Sequence, residues 1–385
     1  MVSRFQRLRL FHGSTLLEDI DNVGNLAAQL CTHQRSPDDV FYGGSVVEGF
    51  DENSPVSING VYSLSALRGQ RITNTAYVAG GGAADIAAAA VTPVKTFCIP
   101  LISILGTLGD KYVPLFAMTS SNLRLELQLV ANAQIPLVAL TAYTSFSITN
   151  VEYVGSFIEL SDQALSVVQQ SQMGGPLTMA VDRWANLIGN ANLLNAVTNV
   201  AIPVPFKYSS TQAIISSIRQ HAAGVTTFDA FGSNHFSMLE YYWQFGSESV
   251  PSKHVGADLY NGNRQMMYNF YCSALGSPYS LDYNPLISLY TYDTMAIPVA
   301  STETPNTAAN NLTSIAGAFG IGQELVSFPS ANVDQMFSGR NTSSEDIYLN
   351  LQFAANAAAP AVRFDLYCLH HAVIICENGQ ASIRY

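Results

Sequence analysis

"LRLELQLVANAQIPLV", Leu123 to Val138, returns later in the chain as "IYLNLQFAANAAAPAV", Ile347 to Val362. The two stretches align without a gap at an offset of 224. Leu125/Leu349, Leu127/Leu351, Gln128/Gln352, Ala131/Ala355, Asn132/Asn356, Ala133/Ala357, Pro136/Pro360 and Val138/Val362 are identical. Each copy opens on a strict apolar–polar alternation. Leu123, Leu125, Leu127 and Leu129 fall on one face and Arg124, Glu126 and Gln128 on the other, while Ile347, Leu349, Leu351 and Phe353 repeat the inward set. A period of two is the signature of a half-buried strand. The alternation continues in phase, with Leu140 opposite Phe364 and Ala142 opposite Leu366. A strand, a loop and a proline repeated in register predict two copies of one β-domain. The leucine pairs should then both be buried, Gln128 and Gln352 should both point outward, and the two copies should hold separate cores.

Working outward, the texture from about Phe41 is β, with alternating runs broken by Gly, Asn, Ser and Pro clusters. "AVRFDLYCL" puts Val362, Phe364, Leu366 and Cys368 inward, and Asn378-Gly379 between apolar runs predicts a type I′ hairpin. In "YYWQFGSESVPSKHV", Tyr241, Trp243 and Phe245 should line a sheet interior, with Tyr242 and Gln244 on the other face. Pro251 should end that strand, because it cannot donate to the ladder. Helices are few. "SDQALSVVQQ" has Ser161 or Asp162 as N-cap, and the stretch from Asn263 reads as a helix ended by Gly276, with Met266, Met267, Phe270 and Tyr271 as core anchors. "AYVAGGGAADIAAAA", Ala76 to Ala90, reads as a loop at an exposed rim.

The predicted organisation is an N-terminal arm with a short helix over residues 1–40, a first β-domain over 41–165 and a second over 166–385. The fold class is all-β, two tandem eight-stranded jelly rolls with short helices in the connections. Long loops, and the lack of a cysteine frame around Trp184 and Trp243, favour jelly rolls over immunoglobulin sandwiches.

Charged residues are only 12% of the 385, against about 25% in ordinary domains. A surface so poor in charge suits burial in an assembly, or a neutral extracellular β-protein. A net charge of −11 argues against binding nucleic acid with the bulk surface. The five cysteines include no CxxC, so neither a zinc knuckle nor a disulfide framework is indicated. Cys98, Cys272 and Cys376 lie in apolar runs, as buried free thiols do, which favours a reducing compartment. No apolar run approaches the ~20 residues of a membrane-spanning helix, and "MVSRFQRLRLFHG" is not followed by a signal-peptide core. Its Arg4, Arg7 and Arg9 are the candidate interaction residues, facing either an acidic partner or the nearby Glu18, Asp19 and Asp21.

No GxSxG, HExxH, P-loop or EF-hand pattern occurs. "GAFGIGQ", Gly317 to Gln323, lacks the third glycine and the βαβ setting of a dinucleotide loop. His370 and His371 are adjacent, so on a strand they face opposite ways and cannot share an ion easily. The sequons at Asn311 and Asn341 matter only in a secretory compartment. No catalytic, cofactor-binding or metal-binding residue is assigned.

The layout resembles the double jelly-roll major capsid proteins of icosahedral DNA viruses. The repeat carries the resemblance, together with "ITNVEYVGSFIELSDQALSVVQQ", similar to a last strand running into the connecting helix. "YYWQFGSESVPSKHV" is similar to the aromatic strand and Pro-Ser loop of their second jelly roll, and "AVIICENGQASIRY" to their closing hairpin. The resemblance implies a structural, non-enzymatic protein of the virion shell. It implies a homotrimer with a pseudo-hexagonal outline that contacts neighbouring capsomers, penton and minor capsid proteins, with no cofactor and no small-molecule substrate. The basic arm would reach the genome or an internal membrane. The alternative is a two-domain β-sandwich that binds glycans or acts on them. An enzyme of that kind needs two carboxylates roughly 5–10 Å apart across a cleft, and no strong pair stands out.

Overall fold

A computed structural model describes residues 5–34, 98–106, 112–129, 148–171, 175–220, 235–257, 264–276, 320–325, 339–355 and 361–385. Twelve strands and three α-helices lie within them. The later part of the chain forms an eight-stranded jelly roll from β4 (Leu177–Asn192), β5 (Thr198–Val204), β6 (Thr211–Gln220), β7 (Met238–Phe245), β8 (Glu248–Gly256), β9 (Ile321–Glu324), β10 (Ile347–Phe353) and β11 (Ala361–Glu377). One sheet has the order β4-β11-β6-β9 and the other β5-β10-β7-β8, all antiparallel. Counted along this half, the orders are first–eighth–third–sixth and second–seventh–fourth–fifth, the interleaved Greek keys of a jelly roll.

Alternation decides which side chains fill the space between the sheets. Tyr241, Trp243 and Phe245 are buried, as are Leu349, Leu351 and Phe353 on β10. The Phe353 and Phe364 rings meet at 6.4 Å across the sandwich. β7 ends at Gly246, whose φ of +56° a side chain would resist. Pro251 does not end the strand pair: it lies inside β8, an edge strand. The β7–β8 register shifts between Tyr241 and Trp243, so Pro251 faces no ladder partner there and its missing N–H costs no bond. α3 (Arg264–Leu275) follows β8 and packs on β9. Of "GAFGIGQ", Ile321, Gly322 and Gln323 lie in β9 and are buried, while residues 317–319 lie outside the described residues. A Cβ on Gly322 would stand 2.8 Å from the Ala274 Cβ, so glycine is what lets the helix approach the sheet.

The head of the chain, expected as an arm, is from Phe5 onward a hairpin. β1 (Phe5–His12) and β2 (Thr15–Asp21) lead into α1 (Val23–Gln34), and β1 lies between β2 and β3 (Leu123–Leu129). This unit repeats β7, β8, α3 and β10. Leu8, Leu10 and His12 face Leu127, Leu125 and Leu123, just as Tyr241, Trp243 and Phe245 face Leu351, Leu349 and Ile347. Gly13, at φ +59°, turns the first hairpin where Gly246 turns the second. Gly13 N donates to Asn122 O, and Gly246 N donates to Asp346 O, the residues just ahead of β3 and β10. The duplication read from sequence is therefore matched strand for strand over this unit.

The two halves do not keep separate cores. Leu8, Ile20, Val23 and Leu26 of the head join Ile214, Trp243 and Leu366 in one cluster, and Leu125 and Leu127 pack against it. β4 and β11 run on past the end of β6, and there β12 (Gln380–Arg384) pairs with β11. In that region Leu10 and Leu17 meet Met179, Ile374 and Ala381 in a second cluster. Asn378 and Gly379 both have positive φ, 52° and 78°, as the type I′ turn requires.

α2 (Asp162–Ser171) precedes β4, and the Ala164 N–H donates to the Ser161 hydroxyl at 3.3 Å, which makes Ser161 the cap. Cys98 is exposed rather than buried, whereas Cys272 and Cys376 are buried as expected. Residues 76–90, Pro136, Pro360 and Asn311 lie outside the described residues.

Candidate functional site

The feature that stands out is a buried polar seam where the head meets the second jelly roll. β11 is covered on both faces. Phe364 and Leu366 point into the sandwich, while Asp365 and Tyr367 point the other way and are also fully buried. What covers them is the end of β2 and the start of α1. The Asp365 carboxylate lies 2.5 Å from Arg219 Nε on β6 and 2.8 Å from an Arg363 terminal nitrogen. Asn22 Nδ2 donates to the same carboxylate at 3.4 Å. The Tyr367 hydroxyl donates to Asn22 O at 3.0 Å. Ser217 Oγ and Gln29 Nε2 both donate to Asn25 Oδ1, at 3.1 and 2.6 Å, and the Tyr271 hydroxyl donates to Gln29 Oε1 at 2.6 Å. Burial pushes the Tyr367 phenol well above its usual range, with the Asp365 charge adding to the effect. One connected network thus ties β2, α1, β6, β11 and α3 together. Such a buried network fixes geometry more than it adds stability.

A second buried group fastens the hairpin itself. Glu18 on β2 is fully buried, and its Oε2 accepts from the Ser103 hydroxyl and from Ile104 N. Burial raises its carboxyl to about 7, against the opposing pull of those two hydrogen bonds and of Arg183. His12 on β1 is buried too, and its Nδ1 accepts from Ala381 N of β12 at 3.1 Å.

The basic residues singled out from the sequence lie elsewhere. Arg7 forms a paired contact with Asp19, and Arg9 lies 3.2 Å from Glu126 on β3, where Arg124 also reaches it. Both are part-exposed on the outer face of the hairpin. Arg4 lies outside the described residues. The two histidines part as expected. His370 is buried, stacked on Tyr208 at 3.6 Å, and burial together with nearby Arg183 lowers it to about 3. His371 turns to Asp182 at 2.6 Å. Among the described residues no group of three or more His, Cys, Asp or Glu side chains is placed to hold a metal.

Sequence reasoning missed the seam. The signal was present in Arg363, Asp365 and Tyr367, polar residues alternating with Val362, Phe364 and Leu366. That alternation assigns the inward set and says nothing of what covers the polar one.

The chain matches no family model and no curated protein. Solved structures do match. PBCV-1 VP54, fitted into a cryo-EM reconstruction of the virophage Sputnik, superposes over 100% of this chain and 84% of its own, with a TM-score of 0.53 at 10% identity. A quasi-atomic model of the PBCV-1 virus capsid gives the same coverages with a TM-score of 0.54 at 12% identity. At such identities the likeness defines the fold, and the fold is the double jelly roll.

Proposed function

We propose that this chain is a structural major capsid protein, the unit of an icosahedral virus shell. The observation that carries the reading is the whole-chain match to the PBCV-1 virus capsid, on a molecule that repeats the same hairpin, helix and strand in its two halves. The chemistry of the molecule agrees with it. The seam between the halves is a locked, solvent-excluded network that suits a rigid block. The low charge suits a surface covered by neighbours.

In this reading the chain acts as a building block rather than an enzyme. It closes into homotrimers with a pseudo-hexagonal outline, which then meet neighbouring capsomers, penton and minor capsid proteins. Residues 166–385 would be the second jelly roll, and the head, expected as a separate arm over 1–40, would join 41–165 in the first, since its hairpin pairs with β3 as β7 pairs with β10. Arg4, Arg7 and Arg9 would mark an inner or inter-subunit face toward the genome or an internal membrane.

Sedimentation of the purified protein tests the assembly. A stable trimer is expected, with interfaces above the roughly 1,600 Å² of a standard complex. A monomer at micromolar concentration overturns the reading. Replacing Arg4, Arg7 and Arg9 with Ser should impair shell formation and hardly move the thermal stability, because exposed ion pairs contribute only about 0–1 kcal/mol. Normal assembly by that variant removes the role given to the basic head.

A further inference from the structure

Inside the second jelly roll, four buried polar atoms have no hydrogen-bond partner among the described residues: the Ser216 hydroxyl, the Tyr241 hydroxyl, Trp243 Nε1 and Gln323 Oε1. Ser216, Tyr241 and Trp243 are 0% exposed and Gln323 is 8% exposed. The four come from both sheets and share the space between them. Tyr241 and Trp243 point inward from β7. Ser216 of β6 pairs with Leu366, whose side chain points into the sandwich. Gln323 of β9 pairs with Ile214, which pairs in turn with Cys368 of the same inward set. Cross-strand partners share a face, so Ser216 and Gln323 point inward too.

Register sets these groups opposite one another. The Phe353 and Phe364 rings meet across the sandwich, with Met238 beside Phe353 and Ile218 beside Phe364. The next inward step brings Leu351 and Tyr241 on one sheet over Leu366 and Ser216 on the other. The step after it brings Leu349 and Trp243 over Cys368 and Ile214, and Gln323 flanks Ile214. Strands of stacked sheets stay within about 30° of each other, so two steps do not carry the groups apart. Their chemistry is complementary. Trp243 Nε1–H can only donate, and both hydroxyls can donate or accept. Gln323 Nε2 donates to Glu324 O at 3.0 Å, which leaves its Oε1 as an acceptor. In the first copy the same inward places on β1 hold Leu8 and Leu10, which face Leu127 and Leu125 as Tyr241 and Trp243 face Leu351 and Leu349. Leucine fills those places there, so the polar tips are particular to the second copy.

We infer that the second jelly roll encloses a small internal water site that bridges its two sheets. Water there accepts from Trp243 Nε1, donates to Gln323 Oε1 and bonds the Tyr241 and Ser216 hydroxyls. A buried polar group without a partner is costly, and folded proteins keep few of them. Direct bonds do not resolve the cost, since none of the four atoms lies within hydrogen-bond reach of another. Water does, because it both donates and accepts, and it settles where two to four polar partners converge. An apolar occupant would leave all four unbonded. A larger polar one would need an entrance, and three of the four residues are 0% exposed. The site joins β7 to β6 and β9 through directional bonds, beside the apolar Leu351, Leu366 and Ile214 of the same core.

Two measurements test the site. A high-resolution crystallographic or cryo-EM map of the full chain should show solvent density within about 3.2 Å of Trp243 Nε1 and of Gln323 Oε1. Urea unfolding of Tyr241→Phe and Ser216→Ala reads the sign of the effect. A hydroxyl bonded to water loses that bond when it is deleted, so each variant should have a lower urea midpoint, with the folded-to-unfolded ratio down about two- to tenfold. A dry hydroxyl is only a liability, and its deletion would raise the midpoint. The map is read on the unaltered chain, so a variant that fails to fold leaves the test intact. The inference is overturned by a map with no solvent density between the four atoms, by one that shows them bonded directly to each other, or by a midpoint that does not fall in either variant.

Discussion

Truncating Asp365 to alanine removes the carboxylate that holds the seam together and leaves its partners in place. The Arg219 side chain is 7% exposed and that of Arg363 18%, against 0% for Asp365. Two guanidinium groups would then lose that carboxylate, Arg219 where little water reaches and Arg363 nearer the solvent. Breaking a buried pair by deleting one partner costs about 3–5 kcal/mol, because the remaining charge is uncompensated. Arg363 is the more exposed and can swing toward solvent, so the lower end, about 3 kcal/mol, is expected. Against a total stability on the order of 5–15 kcal/mol, such a loss is large. Trp184 and Trp243 are the chain's two tryptophans and both are buried, so urea unfolding followed by tryptophan fluorescence reports the loss directly. Adding Arg219→Met to Asp365→Ala should recover part of the stability, since it removes the stranded buried charge. The coupling between the two sites should exceed about 1 kcal/mol. A single-variant cost under about 1 kcal/mol, or a double variant equal to the sum of the singles, refutes the view that these groups are a desolvated pair.

Three further outcomes are expected. Glu18 is raised from 4.5 to about 7 in the folded protein, so the folded state holds its proton more tightly than the unfolded state. Its contribution is then fully present below about pH 4.5 and is lost as pH rises toward 7, a change on the order of 3 kcal/mol. Glu18→Gln should flatten that slope and be the more stable form at pH 8, and equal urea midpoints for the two proteins across this window would refute the account. Gly322→Ala should cost about 1–3 kcal/mol through overpacking against α3, read as a lower urea midpoint, while an unchanged midpoint would show that α3 yields freely. Leu351→Ala should cost about 2–5 kcal/mol and Leu127→Ala less, because Leu127 is only half-buried. Their losses should fail to add by more than about 0.5 kcal/mol, because both side chains pack on one cluster; strict additivity would restore two separate cores.

Period-two alternation made much of the fold legible. It gave the inward faces of β7 and β10, and the repeat gave the equivalence of β3 and β10. Local chemistry gave the Ser161 cap and the Asn378-Gly379 turn, where one or two residues determine the backbone. Alternation says which side chains share a face, but not what lies over that face. On β11 the polar set, which alternation leaves unassigned, is sealed where β2 runs into α1. On β3 the leucines were read as buried, and they lack the cover their counterparts have. Arg7 and Arg9 were read with two outcomes open, and both side chains meet acids across the hairpin sheet.

The same limit explains why the head was mistaken for an arm. Phe5 to Asp21 alternates as a hairpin, but its basic residues face outward and its apolar ones are few. Taken alone, such a hairpin is marginal in water and is a fair candidate for a loose terminus. Its stability comes from contacts remote in sequence. Leu8 and Ile20 reach the core of the second jelly roll, Glu18 is held by Ser103 and Ile104, and His12 by Ala381. Those partners lie more than 80 residues away for Glu18 and more than 360 for His12. The head is therefore ordered by partners far along the chain, and Glu18, His12 and the Asp365 seam lose their water only where those partners cover them.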